Sequence, residues 1–319
     1  MSTILTTSRS FGSGQRDLVA ELETAGHHVL FGDPRHDLES MRSQLASADA
    51  WIAGSSPVTS AHLAHAPSLR VVARYGIGVD AVDLDAAARR RITVTNTPGA
   101  NSDAVADLTV ALMLAALRSI VLGDRRARSG DWRTVRGRQL GDLRVGIVGF
   151  GRIGRGVAYR LSGFGSTILA ADPVLSDHQV RDAGAVPSSV EDLASSCDLV
   201  TLHAPGGQTI IDRAWLDRIR SPLTLVNCAR ADLIAEQSLA DALRDGRVQH
   251  FAADTVAGDV TSTGHSPLLA DDLADKVTIT PHLGAQTVEA VDAMGTIAVQ
   301  NVLAVLDGRT PPHPVAPPA

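Results

Sequence analysis

Cysteine is nearly absent from this chain: Cys197 and Cys228 are the only two in 319 residues. That excludes a disulfide framework. Both thiols fall in apolar, strand-like runs and are expected as free core thiols in a reducing cytoplasm. Lysine is rarer still. Lys276 stands alone among 29 basic residues, the others being arginine, a bias read as genomic composition and not as a binding signature. An excess of positive charge is missing too. The formal charge of −6 argues against general binding to nucleic acid or to an anionic membrane surface. The most apolar stretch, residues 108–122, is interrupted by Arg118 and is too short to span a bilayer; it reads as a buried or subunit-facing helix. The opening residues, MSTILTTSRSFGSG, carry neither a basic lead nor an apolar core of signal-peptide length. No spacing of histidine, cysteine and carboxylate suggests a metal site. Histidines such as His27, His28, His62, His65 and His313 are expected at the surface.

What is present is a soluble globular composition: 44% hydrophobic residues and a mean hydropathy of +0.07. The length suffices for two domains, each with its own core. Short apolar runs at residues 4–6, 28–31, 51–53, 71–74 and 93–97 alternate with helical segments such as 16–25 and 84–90. That alternation implies a parallel sheet with helices on both faces. A long helical pattern covers 102–117. A second alternating series starts at Leu143 and continues through strands at 167–171, 198–203, 223–229, 251–256 and 277–280. Ser188 with Glu191 forms a plausible capping box for a short helix in that series. The last helix, 287–306, stops at Gly308, and the proline-rich tail 310–319 is expected to be extended and poorly ordered.

Chemistry concentrates at four places. First, Gly149-Phe-Gly-Arg-Ile-Gly154 follows an apolar strand and opens a helix. In that setting Gly149, Gly151 and Gly154 allow a tight turn and close approach to a pyrophosphate, which the helix N-terminus favours. Second, Asp172 ends the next strand, where an acid accepts from the adenosine ribose hydroxyls and repels a 2′-phosphate. The bland alternative is a tight strand–helix turn and a turn-forming Asp-Pro. Third, Arg230 ends the run Leu-Thr-Leu-Val-Asn-Cys-Ala-Arg, where a charge points into the ligand crevice of a doubly wound fold. Asp259 and His282 follow the next two strands. An arginine, a carboxylate and a histidine behind a dinucleotide turn suggest hydride transfer to or from a carboxylate-bearing substrate. Taken singly, Arg230 could be a surface residue at a strand exit, Asp259 a solvated turn residue and His282 a cap. Fourth, Arg74-Tyr75-Gly76-Ile77-Gly78 at a strand end offers backbone amides to a small anion, with Arg74 adding charge; the alternative is a glycine-softened loop.

These stretches together resemble the D-2-hydroxyacid dehydrogenase family, most of all the catalytic part of its 3-phosphoglycerate dehydrogenases. The matching segments are RYGIGVDAVDLDAAARR, TNTPGANSDAVADLTVALMLA, VGIVGFGRIGRGVA, LVNCARADLIAEQSLADALRDGRV and TPHLGAQT, in the family's order. The resemblance implies two doubly wound α/β domains with a cleft between them. Residues 1–100 would form a flavodoxin-like substrate domain, 101–285 a Rossmann NAD-binding domain, and 286–319 the return to the first. It implies Arg230 on the substrate carboxylate and carbonyl, His282 as acid–base, and Asp259 in the position of the paired acid. It places Asp254 on the nicotinamide carboxamide. Thr97, Arg152, Ile153, His203, Ala204, Cys228, Ala229, Gly284 and Ala285 would line the cofactor. It also implies a homodimer through 108–122 and the arginine-rich arm 125–138, with Arg133 or Arg136 reaching the partner's cleft.

Three departures from the family pattern stand out. The acid is aspartate where glutamate is usual. Ala231-Asp232 replaces a Gly-Gly or similar pair, and the loop after His203 is short by about three residues. Serine feedback through appended regulatory domains is not expected. The reading is an NAD-dependent oxidoreductase of a small anionic 2-hydroxy or 2-keto acid, with a 3-phosphoglycerate-like substrate first and a broad glyoxylate or hydroxypyruvate reductase second. A non-catalytic NAD(H)-sensing protein on the same scaffold is the alternative from another class.

Overall fold

The computed structural model describes residues 1–258 and 266–316. The chain divides into two compact units, one of residues 1–101 with 285–319 and one of residues 102–284.

In the first unit strands and helices alternate: β1 (Thr3–Thr6), α1 (Leu18–Thr24), β2 (His28–Phe31), α2 (Leu38–Ser47), β3 (Ala50–Ala53), α3 (Ser60–Ala64), β4 (Val71–Arg74), α4 (Leu84–Arg89) and β5 (Thr93–Thr95). The five strands form one parallel sheet in the order β2-β1-β3-β4-β5. Parallel neighbours need a crossover, and each crossover here is a helix or a loop carrying one. β3 and β4 are buried along their whole length, which is why they show no polar alternation, β4 being apolar up to the buried Arg74 at its end. The other face is closed late in the chain by α12 (Val288–Leu306), whose Ala298, Val299, Val302 and Val305 pack with Ile4, Ile52, Val71 and Ala73. By length and composition α12 could cross a bilayer, but half of it is buried inside the protein.

The second unit begins with α5 (Ser102–Leu117) and α6 (Ile120–Arg128). It continues as β6 (Arg144–Val148), α7 (Arg152–Ser162), β7 (Thr167–Ala171), α8 (Asp177–Asp182), β8 (Val186–Pro187), α9 (Val190–Ser196) and β9 (Leu199–Leu202). Then come α10 (Arg213–Leu216), β10 (Leu223–Asn227), α11 (Glu236–Asp245), β11 (Val248–Ala253) and β12 (Val277–Ile279). Its seven parallel strands run in the order β12-β11-β10-β9-β6-β7-β8. The order reverses between β6 and β9, the place where doubly wound sheets leave a crevice at the carboxyl ends of their strands.

Four expectations need correction. The apolar stretch 108–122 is not one helix: Ser119 takes a left-handed φ of 49°, and α5 and α6 bend by 60° there. α5 is buried along its Ala106, Met113 and Ala116 side, whereas α6 buries nothing, leaving Ile120 54% exposed. The helix cap of α9 is one residue later than Ser188, since the Ser189 hydroxyl accepts from Asp192 N; the shorter Asp192 makes no reciprocal bond. The tail is tied down through residue 315. Val315 N donates to Val94 O (2.8 Å), Asn96 N donates to His313 O (3.3 Å), and Pro314 bridges Thr95 antiparallel. Proline fits there because this is the outermost row of the sheet, where its missing N–H faces no partner strand. Finally, His62 is buried, and its Nε2 donates to the His36 carbonyl (2.8 Å). Both cysteines are buried and free.

Candidate active site

The second unit carries most of the expected residues, all at the carboxyl ends of its strands. Gly149 has φ +85°, and a Cβ there would lie 2.7 Å from the His203 carbonyl. A Cβ on Gly154 would lie on the Gly149 carbonyl, whereas one on Gly151 would meet nothing. So the first and third glycines are required by packing, and the second opens onto empty space at the start of α7. Gly151 is the N-cap of α7 and supplies no side-chain cap, so the first amides of an eleven-residue helix point outward unfilled. Arg152 and Ile153 form its first turn. Asp172, after β7, accepts from Phe150 N (2.8 Å) and Val174 N (2.9 Å), which locks the glycine turn to the neighbouring strand.

His203 and Ala204 follow β9. His203 Nε2 bonds Thr201 Oγ1 at 3.0 Å while Nδ1 is buried with no partner, and burial pushes its pKa down to about 3. The ring is therefore neutral, with one nitrogen open. Cys228, after β10, is pushed up to about 12 by burial and is no nucleophile.

Arg230, Asp254 and His282 follow β10, β11 and β12, three adjacent strands. Backbone bonds run across their turns: Asp254 N donates to Asn227 O (3.0 Å) and His282 N donates to Asp254 O (3.1 Å). Asn227 fixes the Arg230 turn, its Nδ2 donating to Arg230 O (2.8 Å) and its Oδ1 accepting from Ala229 N (3.0 Å). The Asp254 carboxylate, 3% exposed, accepts from Thr280 Oγ1 (2.5 Å), Leu283 N (2.7 Å) and Gly284 N (2.7 Å). Those bonds hold His282 in a left-handed conformation, φ 57°, with its side chain exposed. A Cβ on Gly284 would lie 3.0 Å from Asp254 Oδ2, so glycine is needed for the amide to reach the acid. Asp259 lies outside the described residues.

The first unit carries the remainder, and three of those residues are engaged within the protein. The buried Arg74 guanidinium donates to Gly78 O (3.0 Å), Ser56 O (3.2 Å) and Ser55 O (2.9 Å); it braces two loops. The Tyr75 hydroxyl donates to Val291 O (2.8 Å), and burial raises its pKa to about 12. The Gly76 amide donates to Arg74 O (3.0 Å), leaving the Ile77 and Gly78 amides as donors without a protein acceptor among the described residues. Thr97 N donates to Gly76 O (3.0 Å), and Thr97 Oγ1 is buried without a partner, as are Asn101 Oδ1 and Ser102 Oγ. Ala285 opens the return segment. Sequence reasoning missed Asn227, Thr280 and the orphaned pair Asn101 and Ser102. Their signal is a hydrogen bond or a buried unpaired atom, which no spacing displays.

A seven-stranded parallel sheet with a glycine turn and capping acid at its switch point defines a dinucleotide-binding α/β protein. Residues 110–284, more than half of the chain, match the D-isomer specific 2-hydroxyacid dehydrogenase NAD-binding domain. The chain is 36% identical to D-3-phosphoglycerate dehydrogenase of Mycobacterium bovis over 88% of its own length and 53% of the relative's. It is 34% identical to the Methanocaldococcus jannaschii protein of the same name over 85% of this chain and 52% of that one. The crystal structure of a Thermus thermophilus protein superimposes with a TM-score of 0.87 at 32% identity, covering 98% of this chain and 100% of that one. The chain belongs to the D-isomer specific 2-hydroxyacid dehydrogenase family. It spans about half the length of the phosphoglycerate dehydrogenases it matches.

Proposed function

We propose that this protein is an NAD-dependent oxidoreductase acting at C2 of a small 2-hydroxy or 2-keto acid. The observation that carries the reading is the backbone-linked row of Arg230, Asp254 and His282 on β10, β11 and β12, in the same sheet as the Gly149 turn. The residues present fit NAD. The unfilled α7 amides and the open space at Gly151 suit a pyrophosphate, and Asp172 keeps acceptor capacity for ribose hydroxyls. In the second unit His203 Nδ1 is a buried group with no partner among the described residues, and Cys228, Ala229, Ala204 and Gly284 supply small walls. The bound nicotinamide supplies the hydride acceptor or donor.

Arg230 holds the substrate carboxylate by paired charge-assisted bonds. His282 takes the hydroxyl proton in oxidation and returns it in reduction, with Asp259 orienting the ring. Asp254 has one acceptor position beyond its three bonds for a carboxamide. The names of the relatives favour a phosphoglycerate-like substrate. The bonds from Arg74 to three carbonyls favour the second reading, a broad reductase of small 2-keto acids, because those guanidinium donors are spent on the protein's own loops. The protein is expected to work as a homodimer.

The test is a panel of 2-keto acids with NADH, and of 2-hydroxy acids including 3-phosphoglycerate with NAD, repeated with the phosphorylated cofactor. Turnover with NADH and at least tenfold poorer efficiency with NADPH is expected, since Asp172 repels a 2′-phosphate. Retained NADH binding without turnover of any substrate would leave the non-catalytic NAD(H)-binding reading.

A further inference from the structure

Two departures from the family pattern, distant in sequence, meet in space. Asp232 follows Arg230 by two residues. Its Oδ2 accepts from Gly207 N (2.6 Å), in the short loop after His203, and Thr209 Oγ1 donates to Asp232 O (3.1 Å). Ile210 N and Ile211 N both donate to Leu233 O, so the loop is stitched to the Arg230 turn along its length. A Cβ placed on Gly206 would lie 2.9 Å from Asp232 Oδ1 and 3.1 Å from Arg230 Cγ. The carboxylate, the glycine and the arginine stem therefore share one spot at the carboxyl ends of β9 and β10. A side chain at 206 would have to displace the Asp232 carboxylate.

We infer that Asp232 is a specificity and positioning residue: it fastens the shortened loop against the Arg230 turn, and its fixed negative charge restricts the site to singly anionic substrates. This rests on the function proposed above. An exposed aspartate could serve as a loop fastener alone, and that role would be blind to substrate charge. The position argues for more. The same carboxylate that binds the loop stands beside the residue that receives the substrate carboxylate. A second anionic group carried by the substrate near Arg230 therefore meets a fixed like charge, which opposes its binding.

The two parts separate in variants. Asp232→Asn keeps an oxygen for Gly207 N and removes the charge. Asp232→Ala removes both. The measurements are kcat and KM for glyoxylate and hydroxypyruvate, single anions, against oxaloacetate and 2-oxoglutarate, double anions, with NADH at low and high salt. For the natural chain the single anions are preferred. For both variants the kcat/KM ratio of double to single anions rises roughly tenfold at low salt, the size of one like charge at partial exposure, and the rise shrinks at high salt. With Asp232→Ala, kcat falls severalfold for every substrate, and Asp232→Asn restores it. An unchanged ratio in both variants overturns the charge role, and an unchanged kcat in Asp232→Ala overturns the positioning role. A natural chain that binds NADH and turns over neither the four acids nor 3-phosphoglycerate with NAD overturns the functional reading itself, and this inference with it; turnover of 3-phosphoglycerate alone overturns this inference and leaves that reading standing.

Discussion

At the scale of single residues, the site is held by a few buried acceptors whose failure has a sharp cost. Asp254 takes three donors in the turn that carries His282. Asp254→Asn turns one carboxylate oxygen into a donor facing an N–H. It is expected to destabilise the protein by about 1–3 kcal/mol and to lower kcat, because His282 leaves its left-handed conformation. Urea unfolding and steady-state kinetics on the one variant check both; a normal kcat with lowered stability would confine Asp254 to structure. His36 poses a different question. It sits among Thr7, Trp51 and His62, with Nε2 on Thr7 Oγ1 at 2.7 Å and Nδ1 on Pro57 O at 2.9 Å. Burial first, and then Arg74, push its pKa from 6.5 down to about 4. The folded state thus prefers the neutral ring, while the unfolded chain takes up a proton below 6.5. Stability is complete above pH 6.5 and falls as pH drops towards 4, by up to about 3 kcal/mol. His36→Asn tolerates the φ of 57° and is expected to flatten the fall of Tm between pH 6.5 and 4. A slope identical to that of the natural chain would show that other groups carry it. His203, held down to about 3, acts in the same direction. Neither His36 nor His62 was legible as a buried residue, because their burial comes from packing with Trp51 of β3 and not from any period in their own segments.

At the scale of elements the sequence was more transparent. Mostly apolar runs mark strands that are covered on both faces, so β3 reads unbroken and β4, β9 and β10 are interrupted only by Arg74, Thr201, Thr224 and Asn227. The strand ends are less legible: the run expected over 93–97 pairs only as Thr93–Thr95, because Asn96 and Thr97 turn their bonds to His313 and Gly76. The glycine turn and Asp172 were readable because strand–helix geometry forces their spacing. The bonds of Arg74 and Tyr75 within the protein were not, since a strand-end arginine serves a ligand or a neighbouring loop with the same sequence. The tail is where composition misled most. Proline-rich segments read as unanchored, yet residues 313–315 pair along β5 and His313 N donates to Asn301 Oδ1 (3.1 Å). Deleting residues 311–319 uncovers the β5 edge and the Asn301 side chain. Tm is expected to fall by roughly 2–4 °C for each kcal/mol lost, with a rise in concentration-dependent aggregation. A deletion that leaves both unchanged would show that the pairing carries no stability.

At the scale of the whole molecule, the two units differ in how the chain supplies them. The second is one continuous stretch, residues 102–284, whereas the first is assembled from both ends of the chain. The family reading and its fold were legible at this scale because the motifs recur in order over most of the length. The substrate was not legible, because a side chain's partners, such as those of Asp232 in the loop at Gly207, lie elsewhere in the chain and leave no mark in its own segment.

That assembly sets an order of events at the ribosome. The strands of the first sheet emerge early, but α12, which covers Ile4, Val71 and Ala73, is translated only after all of residues 102–284. Until then one face of the nascent sheet is bare and sticky, while the second unit can already close on itself. The half of the protein that is made first is therefore the last to be finished. It is the half that a chaperone must guard, and the half that a stalled ribosome would release unprotected.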